Sequence, residues 1–382
     1  MIVRSFAKWL ITALAFMVQS CTNEAGRESG SENWMLTGFE KIDSVNPCLT
    51  PGTGTFEDPI LKRVISWENK DVFNPAAIVR NGKVYLLYRA EDTIGKYAGT
   101  SRIGLAESID GIHFTRRPEP VLFPAEDEYK KYEWEGGCED PRIVVNEEGR
   151  YFMTYTTYDG TTARLFVASS DDLVNWTKHG SVFKNAAAGK FLNHWSKSGA
   201  VICRRDGDRL VATKINGKYW MYWGDSNIYA ASSDDLVNWT PIEETDPAKK
   251  QYDSTNHYEA FKIVFAPRRG RFDSRLVESG PPAMLTDKGI LFIYNSMNSD
   301  NYGDTSLPKG TYAAGQVLID PKDPLTVLKR SENYFFKPDR PFELTGQVNN
   351  VCFLEGLVHF KDRWYLCYGT ADSKIAVATR KQ

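Results

Sequence analysis

The sequence predicts an all-β protein, a five-bladed β-propeller, and three observations lead to this fold class. The decapeptide ASSDDLVNWT occupies residues 168–177 and again residues 231–240, and AESIDGIHFT at 106–115 is a looser third copy. Five apolar segments rich in β-branched and aromatic residues recur along the chain, and helical periodicity is almost absent. Repeats of four short antiparallel strands predict a propeller, because each small sheet can bury both faces only against its neighbours.

The five units follow one another at nearly even intervals, and each contains a long aromatic strand. These strands read VYLLYRAED, YFMTYTTYD, YWMYWGD, ILFIYNSMN and WYLCYGTAD, and their shared tyrosines are Tyr88, Tyr155, Tyr222, Tyr294 and Tyr368. Successive tyrosines are 67, 67, 72 and 74 residues apart, a regularity that a sandwich or two separate domains would not produce. The last unit has three strands, so we expect residues 59–66 to supply the fourth and to close the ring.

The first twenty residues have the layout of a signal peptide. Two basic residues precede a short apolar run, and a small residue precedes Cys21. The run is too short to span a bilayer. Because Cys21 resembles the lipidation site of bacterial lipoproteins, we expect a signal peptide over 1–20, a lipidated tether over 21–40 and the propeller over 41–382. An ordinary secretory signal with an incidental cysteine is the alternative.

Charge and residue counts exclude several classes of function. Lysine plus arginine number 47 against 49 aspartates and glutamates, so no basic field exists to collect the phosphates of a nucleic acid. Five histidines without an HExxH motif and six cysteines without a CxxC pair disfavour metal hydrolysis and exclude a zinc ribbon. The five cysteines after Cys21 allow one or two disulfides, whose pairing the sequence does not determine.

Polar residues at the start of each first strand are candidates for a site on the propeller axis. The innermost strands of a propeller line its central channel, so these residues converge there. They are Asn74, Asp140, Lys197, Glu278 and Asn350. Turn chemistry is the alternative explanation, because prolines follow several of them. It would not select two carboxylates and a lysine for one structural position, which favours a site.

A second ring of polar and aromatic residues follows the long strands at their hairpin tips. Its members are Arg89, Asp92, Tyr158, Asp159, Trp223, Asp225, Asn295, Asn298 and Asp372. Any single hairpin tip is more often structural than functional. Asp225 and Asp372 are the strongest candidates, because cleavage of a glycosidic bond needs carboxyl groups facing one another across a cleft. Tyr158, Trp195 and Trp223 are candidates for stacking on sugar rings.

The segment EDPRIVVNEEGRYFMTYTTYDG (139–160) resembles glycoside hydrolase family 130, the five-bladed propeller family of β-mannoside phosphorylases and β-mannosidases. The likeness extends in order through NPAAIVRNGKVYLLYRAED, SKSGAV, ESGPPAMLTDKGILFIYNS and YGTADSKIAVA. By that resemblance Asp140 takes the place of the family's catalytic aspartate. That residue protonates the departing sugar, by relay through a substrate hydroxyl in the phosphorylases.

The resemblance also implies roles for five other residues. Asn74, Arg89 and Asp372 match positions that hold the mannose before the scissile bond. Lys197 and Arg164 lie where phosphorylases gather cationic side chains around inorganic phosphate.

The sequence departs from the phosphorylase pattern where phosphate would bind. YWGD (222–225) replaces a basic segment, IYNS (293–296) stands where phosphorylases often have a histidine, and Glu278 replaces a small residue. A carboxylate in a phosphate pocket repels a doubly charged anion and accepts a proton from water. The hydrolytic members of the family resemble this arrangement, invert the anomeric carbon and act on β-1,2-linked mannose. We therefore expect Glu278 to be the base, with Asp225 as helper or alternative.

These observations predict an extracytoplasmic, lipid-anchored, inverting and exo-acting β-mannosidase, with β-1,2-mannosides as the first expected substrate. The alternatives are a β-mannoside phosphorylase that releases mannose 1-phosphate, and a non-catalytic glycan-binding surface lipoprotein. The expected partners are an oligosaccharide and, through the lipid anchor only, a membrane; no metal, organic cofactor or nucleic acid is implied. Besides the catalytic candidates, the expected substrate-binding residues are Asn74, Arg89, Asp92, Arg164, Lys197, Tyr158, Trp223, Asn295, Asn350 and Asp372.

Overall fold

A computed structural model describes residues 34–97, 99–250 and 261–381. Strands predominate in these residues, accompanied by two four-residue α-helices and one short 3-10 helix. The predicted signal peptide and Cys21 lie outside the described residues. Within the described ranges, no helix has the length and apolar character needed to cross a bilayer.

Three short strands precede the repeated units. They are β1 (Glu40–Lys41), β2 (Thr55–Asp58) and β3 (Arg63–Ser66). β2 and β3 pair with each other as an antiparallel hairpin, with Thr55 opposite Ser66. β1 pairs with the last strand of the chain.

Blades I and II are four-stranded antiparallel meanders. Blade I contains β4 (Asp71–Arg80), β5 (Lys83–Glu91), β6 (Ser101–Ser108) and β7 (Thr115–Arg116). Helix α1 (Lys130–Glu133) precedes blade II, which contains β8 (Gly137–Val145), β9 (Tyr151–Tyr158), β10 (Ala163–Ser170) and β11 (Thr177–Ser181).

Blades III and IV are less regular than the first two. After the 3-10 helix Ala186–Gly189, blade III contains β12 (Ala200–Asp206), β13 (Arg209–Ala212), β14 (Lys214–Ile215), β15 (Lys218–Trp223), β16 (Ile228–Ser233), β17 (Trp239–Pro241) and β18 (Ile263–Phe265). Blade IV contains β19 (Leu276–Ser279), β20 (Ala283–Thr286), β21 (Gly289–Met297), β22 (Tyr312–Ile319) and β23 (Val327–Arg330). β19 and β20 both pair with β21, so together they form one interrupted innermost strand.

Blade V joins the two ends of the described chain. After helix α2 (Pro341–Leu344) it contains β24 (Cys352–Phe360), β25 (Arg363–Thr370) and β26 (Lys374–Lys381). Its fourth position is taken by β1, which pairs antiparallel with β26 at Glu40 opposite Thr379. The first strands of blades I and II, II and III, III and IV, and V and I contact one another, and β21 and β22 of blade IV contact β24 of blade V. The molecule is therefore a five-bladed β-propeller, as the sequence predicts.

The prediction that residues 59–66 close the ring is wrong. β3 pairs with β2, whereas β1 closes blade V. Charge holds β1 in place, because Lys41 Nζ lies 2.7 Å from carboxylate oxygens of both Asp339 and Glu343. The side chains of Trp34 and Leu36 are buried, so the folded body begins before the expected boundary at residue 41.

The five described cysteines, Cys48, Cys138, Cys203, Cys352 and Cys367, are free thiols. Four of them are buried in the blades, as expected for small apolar side chains in a close-packed sheet.

Candidate active site

A polar cavity of about 120 Å³ opens where the first strands of the blades begin. All five blades contribute to its walls, because the strands converge there on the axis. The lining residues are Phe73, Asn74, Arg89, Asp140, Lys197, Glu278, Tyr312, Val351, Phe353 and Asp372. The three sequence candidates for acid, base and cation on the axis, Asp140, Glu278 and Lys197, therefore share one cavity.

Left-handed residues turn side chains from the innermost strands toward this cavity. Asn74 has φ 48° and Asp140 has φ 46°, and each directly precedes a proline. In both strands the pairing register shifts at this point, which is the mark of a β-bulge. Asn and Asp tolerate this conformation better than most residues, which explains their presence in this position. Ser198, at φ 60°, takes the matching place in blade III.

The Asp140 carboxylate is buried among donors. Its Oδ1 accepts hydrogen bonds from Asn74 Nδ2 at 2.9 Å and from Arg89 Nη1 at 3.2 Å. Its Oδ2 lies 3.6 Å from Lys197 Nζ. Burial by itself raises the pKa of Asp140, but Arg89, Lys197 and the Asn74 hydrogen bond outweigh burial and hold that pKa well below its usual range. Asp140 is therefore ionised in the free protein.

Arg89 is fixed on several sides. Its Nη2 lies 2.7 Å from Glu91 and 3.2 Å from Glu139, and its Nε donates to Ser101 Oγ at 2.9 Å. Its guanidinium lies 4.8 Å from the centre of the Phe73 ring, as in a cation–π contact. A guanidinium held in this way presents fixed donors to the cavity.

The pKa of Glu278 is shifted in the opposite direction from that of Asp140. The side chain is 6% exposed, and Ser198 Oγ donates a hydrogen bond to its Oε1. Burial raises the pKa of Glu278 to about 7, assisted by the nearby Asp225 and opposed by Lys197, Arg142 and Ser198. Near neutral pH the cavity therefore holds the ionised Asp140 carboxylate and, at Glu278, a carboxyl group that exchanges its proton readily.

Lys197 faces the acidic side of the cavity. Burial lowers its pKa, but the charges of Asp140, Glu278, Glu139 and Asp225 overcome that effect and raise its pKa above the usual value. The ammonium group therefore stays charged and offsets part of the negative charge around it.

Asp225 lies beside the cavity, although it does not line it. Its Oδ2 accepts a hydrogen bond from Trp195 Nε1 at 2.9 Å, which fixes the half-buried carboxylate and the indole together. Its charge influences both Glu278 and Lys197. This position suits a residue that acts through Glu278 and Lys197 better than a base that touches the substrate.

Asp372 occupies the blade V side of the cavity, at a left-handed position with φ 50°. Burial raises its pKa to about 7, against the effect of Arg89 and with the support of Asp140 and Glu91. A carboxyl that is protonated part of the time can both donate and accept hydrogen bonds to sugar hydroxyls.

Two polar residues predicted to bind substrate have structural partners instead. Arg164 lies 2.6 Å from Asp159 and donates to Asn193, so its charge is neutralised away from the cavity. Asp92 is 1% exposed; it pairs with Arg102 at 2.7 Å and accepts hydrogen bonds from three backbone N–H groups of its own turn. These two assignments are corrected.

Four further candidates do not line the cavity. Trp223 is 1% exposed and packs among Phe183 and other rings of the blade III core. Asn295 is fully buried, and its amide exchanges two hydrogen bonds with the backbone of Leu354. Tyr158 packs edge-on against Tyr97, and Asn350 accepts the Tyr312 backbone N–H through its carbonyl. Trp223 and Asn295 are thereby corrected to packing residues.

Five further residues at the site carry no distinctive signal in the sequence. Phe73, Tyr312, Val351 and Phe353 line the cavity, and Ser198 binds Glu278. The apolar residues have the same character as other residues of the sheets. The one sequence feature that could identify them is their position next to a candidate polar residue, such as Phe73 before Asn74.

The chain is similar to known proteins over most of its length. The family model of glycoside hydrolase family 130, described as beta-1,4-mannooligosaccharide phosphorylase, matches residues 55–382. A 1,2-beta-oligomannan phosphorylase from Thermoanaerobacter sp. (strain X514) is 32% identical over 333 residues, covering 84% of this chain and 94% of the relative. A solved glycosyl hydrolase from Bacteroides ovatus is 45% identical with a TM-score of 0.86, covering 91% of this chain and 95% of that one.

A further solved structure has the same identity, TM-score and coverage. It is described by the words "The GH130 family of mannoside phosphorylases contains glycoside hydrolases that target beta-1,2 mannosidic linkages in Candida mannan".

Proposed function

Because the chain belongs to glycoside hydrolase family 130, we propose that it is an inverting, exo-acting β-mannosidase that hydrolyses β-1,2-linked mannosides. Members of this family act on β-mannosides by phosphorolysis or by hydrolysis. The choice between the two depends on whether the position opposite the scissile bond receives phosphate or water.

The charge around Glu278 is the observation that carries the proposal. A phosphate pocket needs several cations, yet Lys197 is the only one of the two expected phosphate-binding cations that lines the cavity. The other, Arg164, is paired with Asp159. Lys197 itself lies 3.6 Å from Asp140 and within the influence of Glu278 and Asp225. A dianion that entered beside Glu278 would meet the carboxyl groups of Asp140, Glu278 and Asp225 around Lys197, whereas a water molecule there would meet a base.

Hydrolysis then uses the two carboxyl groups in complementary roles. Asp140, in its protonated form, gives a proton to the leaving oxygen, directly or through a substrate hydroxyl. Glu278, in its ionised form, takes a proton from water, whose oxygen attacks the anomeric carbon from the opposite face. The bond from carbon to the leaving oxygen breaks, and the first sugar product is α-mannose.

The terminal mannose would be held by the donors and acceptors on the blade I and blade V side. Asn74, Arg89 and Asp372 surround that side, and Phe73 supplies an apolar face. The small volume of the cavity, about 120 Å³, supports removal of one terminal sugar rather than cleavage inside a chain.

A β-mannoside phosphorylase is the second candidate. The position of Lys197 in the cavity and the activity named for the Thermoanaerobacter relative favour it. Initial rates on β-1,2-mannobiose, measured in phosphate-free buffer and with added phosphate, separate the two. We expect the same rate in both; a rate that vanishes without phosphate would reject the hydrolase.

We also propose that Cys21 carries a lipid that anchors the enzyme outside the cytoplasm. The signal-like layout of residues 1–20 supports this proposal. Cys21→Ser should move the enzyme from the membrane fraction to the soluble fraction without changing its specific activity. An unchanged distribution between the fractions would reject the anchor.

A further inference from the structure

Beneath the cavity, Arg142 connects the strands that carry Asp140 and Glu278. It lies on β8, two residues after Asp140, and is 2% exposed, so it does not reach a substrate. Its Nη1 donates to the Asp140 carbonyl at 3.2 Å. On the opposite side, its Nε donates to the Gly280 carbonyl at 2.9 Å and its Nη2 to the Ser279 carbonyl at 2.6 Å.

These three carbonyl groups belong to two different blades. Asp140 lies on the innermost strand of blade II, and Ser279 and Gly280 follow Glu278 directly in blade IV. The planar guanidinium has its donors in fixed directions, so it determines the separation of the two backbone segments. The positions of the Asp140 and Glu278 side chains therefore depend on this separation, because each side chain moves with its own backbone segment.

A buried carboxyl group of blade V faces Arg142. Glu355 on β24 is fully buried, and its Oε1 lies 3.0 Å from Arg142 Nη2. Neither carboxyl oxygen of Glu355 has a hydrogen-bond partner within the described residues. Burial raises the pKa of Glu355 well above its usual range, against the effect of Arg142, so this pair contributes little stability compared with apolar residues of similar size. A purely structural role therefore accounts poorly for the choice of residues here.

We propose that Arg142 is a positioning residue that sets the separation between the Asp140 and Glu278 carboxyl groups, with the buried Glu355 carboxyl as its neighbour on the blade V side. The inference rests on the roles proposed for those two carboxyls. Arg142 thereby connects blades II and IV across the axis, although it does not line the cavity.

Arg142 also acts on the same two carboxyls through its charge. It lowers the pKa of both Asp140 and Glu278, in each case against the larger effect of burial. The other charged or titratable groups that act on this region are Lys197, Glu355, Asp225, Arg89, Glu139, Glu91, Asp372 and Tyr312. Geometry and charge can be separated by two substitutions at one position.

The experiment compares Arg142→Lys with Arg142→Met on a β-1,2-mannoside across a range of pH. Lysine keeps the charge but lacks the fixed N–H donors of the guanidinium. We therefore expect kcat to fall about 100-fold, the usual cost of misplacing a catalytic group by about 1 Å, with an unchanged pH profile. Methionine lacks both the charge and the donors, so kcat falls and, because Arg142 lowers the pKa of Glu278, the alkaline limit of the profile moves to higher pH. KM should change little in both, because Asn74, Arg89 and Asp372 still hold the sugar.

Arg330→Lys is the matched control. Arg330 also combines a buried carboxylate, Asp273, with a backbone carbonyl, that of Ala266, but it lies on the outermost strand of blade IV. We expect its kcat and pH profile to equal those of the unmodified enzyme. Equal losses in Arg142→Lys and Arg330→Lys would overturn the proposal, as would wild-type kcat in both Arg142 variants.

Folding is checked by thermal unfolding of each variant. If both Arg142 variants fail to fold, Arg142 is a structural residue and the proposal is rejected. The unmodified enzyme is assayed with and without phosphate in the same series, so a failure of the hydrolase proposal shows in that enzyme alone. Phosphorolysis rates would then replace hydrolysis rates in the comparison of Arg142 variants.

Discussion

At the residue scale, Asp140 and Glu278 have opposite pKa shifts in one cavity. Arg89 and Lys197 hold the pKa of Asp140 low, whereas burial raises the pKa of Glu278 to about 7. In the resting enzyme the shared proton is therefore on Glu278. The proposed reaction instead starts with that proton on Asp140. The productive form has the same number of protons and differs only in where the proton resides.

This pattern predicts the pH dependence of kcat/KM. The pair must hold one proton, and that proton is lost as the pH rises through the pKa of Glu278. We therefore expect kcat/KM to fall above about pH 7 and to stay high on the acid side until the pH approaches the lowered pKa of Asp140. Initial rates over a pH series check this. A rate that increases from pH 7 to 9 would contradict the pairing.

Removing the acid should abolish turnover and spare binding. Asp140→Asn keeps the shape of the side chain and loses its proton, so we expect kcat to fall by about 10²–10⁴-fold, the usual contribution of a general acid. Calorimetry should still detect mannobiose binding. The control is Glu107→Gln, which removes an exposed carboxylate paired with Lys83 in blade I. If the unmodified chain binds mannobiose but never cleaves it, the chain is a glycan-binding protein.

At the element scale, the tyrosine that marks each repeat has a second role beyond packing. In four blades its hydroxyl donates to a buried carboxylate, in the pairs Tyr88 with Glu68, Tyr155 with Glu133, Tyr294 with Asp273, and Tyr368 with Glu343. Each carboxylate also pairs with a cation, respectively Arg116, Lys178, Arg330 and Lys41. Blade III differs, because Tyr222 donates to the Pro324 carbonyl.

This difference between blades makes a stability prediction with its own control. Tyr88→Phe leaves the buried Glu68 short of a donor, so we expect the free energy of unfolding to fall by about 1.5–3 kcal/mol, typical of a hydrogen bond to a charged group. Tyr222→Phe loses a neutral hydrogen bond, which is worth about 0.5–1.5 kcal/mol. Urea unfolding measures both. Equal losses would show that the buried carboxylate adds nothing.

The repeated decapeptide is a turn held by its own side chains. In each of the two copies an aspartate accepts two backbone N–H bonds, Asp172 from Val174 and Asn175 and Asp235 from Val237 and Asn238. The matching position of the third copy carries Asp110, which accepts in the same way from Ile112 and His113. The residue after each aspartate is left-handed, and the looser copy places Gly111 there. The repeat seen in the sequence is thus a conserved local geometry within one molecule.

At the scale of the whole molecule, ring closure depends on a segment that the sequence does not mark. β1 has two residues, Glu40 and Lys41, and no apolar alternation, so no pattern distinguishes it from a tether. The segment at 59–66 has a strand-like pattern, but part of it folds back as the hairpin of β2 and β3. Which strand completes blade V is decided by the pairing of Lys41 with Asp339 and Glu343, far along the chain.

Two shortened chains test the closure. A chain that begins at Trp34 keeps β1 and the buried Trp34 and Leu36, whereas one that begins after Lys41 leaves the edge of β26 open and Glu343 unpaired. We expect the shorter chain to have the lower thermal unfolding midpoint. Equal midpoints in differential scanning calorimetry would show that β1 contributes nothing to closure.

The site could be predicted from the sequence where the repeat itself placed residues together. Asn74, Asp140, Lys197 and Glu278 lie near the beginnings of equivalent strands, so the blade period brings them to one axis. Arg164, Asp92 and Asn295 do not line the cavity, because each has partners in a neighbouring turn or blade. Side-chain partners across blades depend on three-dimensional packing, which no spacing along the chain records.

Proton NMR during the digestion of β-1,2-mannobiose shows whether the enzyme hydrolyses with inversion through Asp140 and Glu278. One sample contains inorganic phosphate and the other does not. We expect the anomeric signal of α-mannose to appear first in both samples, followed by slow conversion to the mixture of anomers. Mannose 1-phosphate formed only in the phosphate sample, or β-mannose appearing first, would contradict it.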